Sequence, residues 1–218
     1  MKEKIIKTAN YLAAKGWAEA GSGNISIRAN LNLIGKTTID NLPFKSLHGL
    51  TFLITRSGSR FRRLVESDIG LVRVCGDGLS YEHDFTNGKP TSELYSHILI
   101  QQALSESPEK VVIHAHLTHI VALSHMVKDE NDLNKRLFCI TEMPVLLPNG
   151  IGFVPLAEPG SEKLGLLTVE KVISGKRAIV WAHHGAIVCG LDIECAIDQI
   201  EALEKAAQIA IMLLCRIE

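Results

Sequence analysis

Val111-Val112-Ile113-His114-Ala115-His116 is an apolar run of strand length, and residues 118–127, which follow at once, read as a helix. Short apolar runs bounded by breaks are the mark of a buried strand. A strand that feeds straight into a helix means a chain of mixed elements, and the rest of the sequence agrees. Toward the N-terminus, a helix is expected over residues 4–15, with Ile5, Ile6, Ala9, Leu12 and Ala13 at helical spacing and Gly16 as its stop. Gly21-Ser22-Gly23-Asn24 then turns into Asn24-Ile25-Ser26-Ile27-Arg28, whose alternation reads as a strand. Residues 30–50 show no clean period and read as a loop. Strands are expected at 52–55 and 71–75, and Asp77-Gly78 suggests a hairpin into Leu79-Ser80-Tyr81-Glu82.

A helix of about a dozen residues is expected from Thr91, capped by Thr91 or Ser92 with Glu93 in its first turn. Toward the C-terminus, residues 178–181 and 186–189 form another strand pair, and a long helix runs from about 193 to 215. Strands and helices are mixed, with no linker or internal repeat. The expectation is one α/β domain over residues 1–218.

The chain's 218 residues are enough for one large domain. Lys plus Arg number 23 against 24 Asp plus Glu, a net charge of −1. This balance lacks the basic face a nucleic-acid binder needs to displace counterions. No apolar run approaches the roughly 18 residues of a membrane span, so no membrane role is expected. Cys75, Cys139, Cys189, Cys195 and Cys215 contain no C-x-x-C pair, and their odd number fits reduced core thiols in a cytoplasmic chain better than a disulfide framework.

The chemistry concentrates in the histidines. His114 and His116 lie two apart in a strand, so both rings project from one face. A core histidine beside a chance neighbour would also give this pattern. Against that, each buried polar group must find a partner, and His183-His184-Gly185 ends a second apolar strand, Ile179-Val180-Trp181. A third imidazole from a neighbouring strand would give three ligands with an open position, the layout of a catalytic zinc. Three imidazoles without a thiolate suit Zn, Cu, Fe or Ni. Only one of His183 and His184 need be a ligand, with the other facing the packed side. Glu93, in Pro90-Thr91-Ser92-Glu93, reads as an acid–base group or as a carboxylate that favours the helix dipole. Gly21-Ser22-Gly23-Asn24 and Thr55-Arg56-Ser57-Gly58-Ser59 are small, hydroxyl-bearing turns that could cradle a phosphate. His48, His83, His97, His119 and His125 read as surface or helix residues.

Taken in order, Gly23-Asn24-Ile25-Ser26, Pro90-Thr91-Ser92-Glu93, His114-Ala115-His116 and His184-Gly185 resemble the zinc-dependent class II aldolases of the aldolase/adducin superfamily. Lys15-Gly16-Trp17, Thr55-x-Ser57-Gly58-x-x-Phe61-Arg62, and Glu142 followed by Pro148-Asn149-Gly150-Ile151-Gly152 look like its deoxyketose-1-phosphate aldolases. The resemblance implies a mostly antiparallel central sheet flanked by helices, and a homotetramer with active sites at subunit interfaces. It implies zinc on His114, His116 and His184, Glu93 as catalytic carboxylate, and Asn24, Ser57, Thr91 and Ser92 on a substrate phosphate. The reaction would be cleavage of L-rhamnulose 1-phosphate or L-fuculose 1-phosphate to dihydroxyacetone phosphate and L-lactaldehyde. Glu142 would reach a neighbouring subunit's site as a second catalytic acid. From local sequence alone it reads equally as a surface carboxylate where the chain leaves a helix, since Pro144 disfavours helical Met143. Gly21 departs from the asparagine of the rhamnulose-type enzymes. The rival readings are a sister phosphosugar dehydratase or 4-epimerase, and a non-catalytic adducin-like module. Epimerases carry Asp at the position of Glu93, and the assembly modules lose the three histidines.

Overall fold

Helix α1 (Lys2–Ala14) buries Ile5, Ala9 and Leu12 along one face, the spacing expected of a helix laid on a core. Beyond it the computed structural model, which describes residues 1–33 and 35–214, folds into a single α/β domain. Its strands are β1 (Asn24–Arg28), β2 (Thr38–Asn41), β3 (Thr51–Thr55), β4 (Ile69–Val74), β5 (Ser80–His83), β6 (Val111–Ala115), β7 (Gly152–Val154), β8 (Ala178–Trp181) and β9 (Gly185–Gly190). The further helices are α2 (Leu94–Ala103), α3 (Thr118–Ser124), α4 (Glu130–Leu137), α5 (Met143–Leu146), α6 (Glu162–Ile173) and α7 (Ile193–Leu214). The strands form one sheet in the order β2-β5-β4-β3-β1-β6-β9-β8-β7. Among the described residues only β7 and β8 pair in parallel. The expected mostly antiparallel sheet flanked by helices is therefore what forms.

Helices cover both faces of the sheet centre. Val111, Ile113 and Ala115 of β6 pack with residues of α1, α3 and α7 on one side. Val112 packs with Ile100 of α2, Leu164 of α6 and Trp181 on the other. Strand β6 is thus buried on both faces, which is why its sequence is apolar throughout rather than alternating. The β1–β6 register sets Asn24 opposite His114 and Ser26 opposite Val112, on the α2 side. A slip of one residue would turn all of them to the other face.

Several expectations need correction. Residues 30–50 are not all loop: β2 pairs with β5 at the edge of the sheet. Three of its four side chains are exposed, so no apolar alternation marks it. Helix α2 begins at Leu94, and Glu93 is its N-cap residue rather than part of its first turn. Thr91 Oγ1 accepts the Glu93 N–H within the preceding turn instead of capping the helix. His83 is neither surface nor helical; it is buried in β5 between the rings of Tyr81 and Phe85. His97 is on a helix as expected but is wholly buried. Met143 is helical despite Pro144, because the proline falls in the first turn of α5, where its missing N–H costs nothing. Among the described thiols only Cys189 lies in the core and Cys139 is exposed; Cys215 lies outside the described residues. No helix among the described residues is long and apolar enough to cross a membrane.

Candidate active site

The end of β6, the β8–β9 turn and the N-terminus of α2 converge on one cleft of about 360 Å³. His114 comes from β6, His116 lies just past its end, and His184 sits in the turn before β9. Their ring centroids are 4.9–5.0 Å apart pairwise, and one nitrogen from each falls within 4.8 Å of the others. Gly185 lets the turn come this close. A Cβ there would stand 2.5 Å from the Ala115 carbonyl oxygen and 3.1 Å from His114 Cε1. His183, by contrast, is not on the packed side. It adopts φ of 62° and is exposed, stacked on His125 at 3.7 Å. The tight turn, rather than strand alternation, separates the two neighbours.

The hydrogen bonds around the rings show what the cluster is built to hold. His114 Nδ1 donates to the Ala186 carbonyl at 2.9 Å, so Nε2 carries the lone pair. That Nε2 is buried and has no hydrogen-bond partner, and neither has His184 Nδ1. An unpartnered buried polar atom costs roughly 1–3 kcal/mol, a cost that a metal ion bound at His114 Nε2 would remove. His116 Nδ1 pairs with Glu19 Oε1 at 2.7 Å, the carboxylate support common behind metal-bound imidazoles. Burial, reinforced by the neighbouring ring, holds His114 at a pKa of about 3 and His184 at about 4. Both are neutral at neutral pH, as metal ligands must be. The residues present fit a metal ion with nitrogen ligands.

Glu93 stands over the cluster, with Oε2 3.6 Å from His114 Nε2 and Oε1 3.5 Å from His184 Nε2. Since those imidazoles are neutral, these contacts are not ion pairs at neutral pH. Burial raises the Glu93 pKa, against the pull of His184 and of the Asn24 amide, which donates to Oε2 at 3.1 Å. The carboxyl thus sits in a dry, polar niche that favours holding a proton.

Beside the histidines, the same cleft is lined by Asn24, Ser57, Thr91 and Ser92. The 55–58 turn is held against 89–91 by Ser57 N–H to Lys89 O at 2.9 Å and Thr91 N–H to Thr55 O at 3.0 Å. Two hydroxyl-bearing segments far apart in sequence therefore face one space. Arg56 also lines it, its guanidinium shared with Asp68 at 2.6 Å. The structure brings together eight of the nine residues singled out in the sequence. Glu142 is the exception. It is exposed and lines a different cleft with Leu146, Asp198, Glu201 and Lys205. Glu19 and His97 were not foreseen as part of this region, and Glu19 pairs with a ring 97 positions away.

The comparisons with known proteins agree with this geometry. A family described as class II aldolase and adducin N-terminal domain matches residues 3–211. A rhamnulose-1-phosphate aldolase from Listeria monocytogenes is 33% identical in an alignment of 230 positions that covers 95% of this chain and 82% of that protein. The crystal structure of a sugar-phosphate aldolase from Thermotoga maritima superposes with a TM-score of 0.86 at 35% identity, covering 99% of this chain and 96% of that one. An L-fuculose-1-phosphate aldolase from Thermus thermophilus shares the fold, with a TM-score of 0.70 at 22% identity over 99% of this chain and 93% of that one. On the match across nearly its whole length, the chain belongs to the class II aldolase and adducin family.

Proposed function

We propose that the protein is a zinc-dependent aldolase that cleaves a 6-deoxy-L-ketohexose 1-phosphate, L-rhamnulose 1-phosphate or L-fuculose 1-phosphate, to dihydroxyacetone phosphate and L-lactaldehyde. The observation that carries the reading is the set of three clustered imidazoles, with the buried and unpartnered Nε2 of His114 among them, directly beneath a buried carboxyl. His114, His116 and His184 would hold the metal, which when bound supplies the Lewis-acid charge that an enediolate requires.

The other parts follow from the reaction. Cleavage of the C3–C4 bond leaves its electron pair on the dihydroxyacetone phosphate fragment, and C3 must gain a proton. Glu93 delivers that proton and takes it back in the synthetic direction. A carboxyl whose pKa is raised by burial is suited to this exchange. The C4 hydroxyl must lose its own proton as the aldehyde forms. Glu142 would take it from across a subunit interface of a homotetramer, since within one chain it faces another cleft. Asn24, Ser57, Thr91 and Ser92 bind the phosphate, whose contacts hold the reacting bond in place.

The test is incubation of the zinc-loaded protein with each ketose 1-phosphate, with dihydroxyacetone phosphate as readout. Release from one of the two supports the reading and identifies the stereoisomer. Release from neither refutes it.

A further inference from the structure

Between the sheet and α2 a file of buried side chains runs from Gln101 through Ser26, His97 and Asn24 to Glu93. Its polarity can be worked out from one end. Gln101 Nε2 lies 3.1 Å from the Lys110 carbonyl oxygen and 3.0 Å from Ser26 Oγ. A backbone carbonyl only accepts, so the Gln101 amide must turn its nitrogen this way, and its other N–H donates to Ser26. The fully buried Ser26 hydroxyl then has its own proton to give, and His97 Nδ1 lies 2.8 Å away to accept it. His97 has no solvent exposure, and burial lowers its pKa to about 3, so the ring is neutral and its one proton sits on Nε2.

That N–H donates to Asn24 Oδ1 at 2.5 Å, which fixes the amide and aims its NH₂ group at Glu93 Oε2. The reverse polarity fails at Ser26, whose proton it would leave without an acceptor in a dry interior.

The geometry points to His97 as a positioning residue for the reaction: its Nε2–H fixes the Asn24 amide, and the amide holds Glu93 in the orientation from which it exchanges its proton. The assignment rests on Glu93 as the proton carrier. His97 touches neither substrate nor metal; it acts through Asn24, as outer hydrogen-bond partners do around other active sites, where their loss costs about 10- to 100-fold. A ring kept only to fill the core would be replaceable by any side chain of its size, whereas a positioning role needs a donor at the Nε2 place.

Two measurements test this together. The first is nitrogen-15 NMR of the histidine-labelled, zinc-loaded wild type, with His97→Gln used to assign the ring. The expected result is a proton on Nε2 and an unprotonated Nδ1. The opposite tautomer would overturn the polarity and the proposal with it. The second is kinetics of His97→Phe and His97→Gln, each with its zinc content measured. The phenylalanine variant should keep its zinc and lose roughly 10- to 100-fold in kcat with a much smaller change in KM. The glutamine variant, with an amide donor the same number of bonds from Cβ, should recover part of that loss. A phenylalanine variant with wild-type kcat, or a glutamine variant no faster than phenylalanine, would reduce His97 to packing. If the phenylalanine variant does not fold, the comparison of glutamine with wild type and the tautomer decide. Should the wild type cleave neither ketose 1-phosphate, the proposed function fails, while the tautomer still reports on the file itself.

Discussion

Glu204→Ala should destabilise the fold by about 2–4 kcal/mol, through a helix end rather than through lost packing. Helix α3 begins two residues after His116, and its N-cap residue is Leu117, which has no side-chain acceptor. The acceptor comes from α7 instead. Glu204 Oε2 takes the His119 N–H at 3.0 Å and the Ile120 N–H at 3.2 Å, and Oε1 pairs with His119 Nδ1 at 2.8 Å. Those two N–H groups are the second and third of the helix, the ones an N-cap side chain would serve. A buried N–H left without an acceptor costs roughly 1–3 kcal/mol, and here two lose theirs, one on the fully buried Ile120, which gives about 2–4 kcal/mol. Glu204→Gln keeps an acceptor oxygen and should lose about half as much. The assay is urea unfolding of the metal-free protein at fixed concentration, because bound metal would stabilise the native state by mass action and mask the change. Glu170→Ala, an exposed position on α6, is the control and should stay within about 0.5 kcal/mol of wild type. If Glu204→Ala behaves like that control, the cap contributes nothing and the reasoning is refuted.

Glu93→Gln should keep its zinc and its fold while losing about 10²- to 10⁴-fold in turnover, the range of a general acid–base group. Near-normal rates would leave Glu93 as a helix-end residue only. Ser57→Ala and Ser92→Ala should each raise KM for dihydroxyacetone phosphate in the synthetic direction, since each removes a charge-assisted hydrogen bond of about 1.5–3 kcal/mol. An unchanged KM would put the phosphate elsewhere. Co-assembly of Glu93→Gln and Glu142→Ala subunits should restore part of the activity each lacks alone, because a shared interface rebuilds some sites with both wild-type acids. Mixed assemblies as inactive as their parents would remove Glu142 from the site.

How much of this was legible in the sequence depended on where the determining contact lay. The metal-type cluster could be read because His114 and His116 lie two apart at the end of one apolar strand run, where a period of two gives them a common face before any tertiary contact is known, even though β6 itself ends at Ala115. Strand β2 could not be read, because an exposed edge strand satisfies half its backbone with solvent and needs no apolar pattern. The opposite roles of His183 and His184 were half legible. One ligand was expected, but the outward turn of the other follows from the φ of 62° at His183 rather than from the residue pattern. His97 looked like any helical histidine. Its burial depends on Asn24 and Ser26, 73 and 71 positions earlier in the chain, and a local reading has no access to such pairings.

The central claim is that the three histidines hold the metal on which cleavage depends. The most direct measurement is dihydroxyacetone phosphate release from the ketose 1-phosphate, followed while zinc is titrated back into chelator-treated protein, for wild type and for His114→Ala. The account predicts no release from the metal-free wild type, and recovery that saturates at one zinc per chain. It predicts that His114→Ala neither binds that zinc tightly nor recovers. Full-rate release from the metal-free wild type, or normal zinc binding and turnover in His114→Ala, would contradict it.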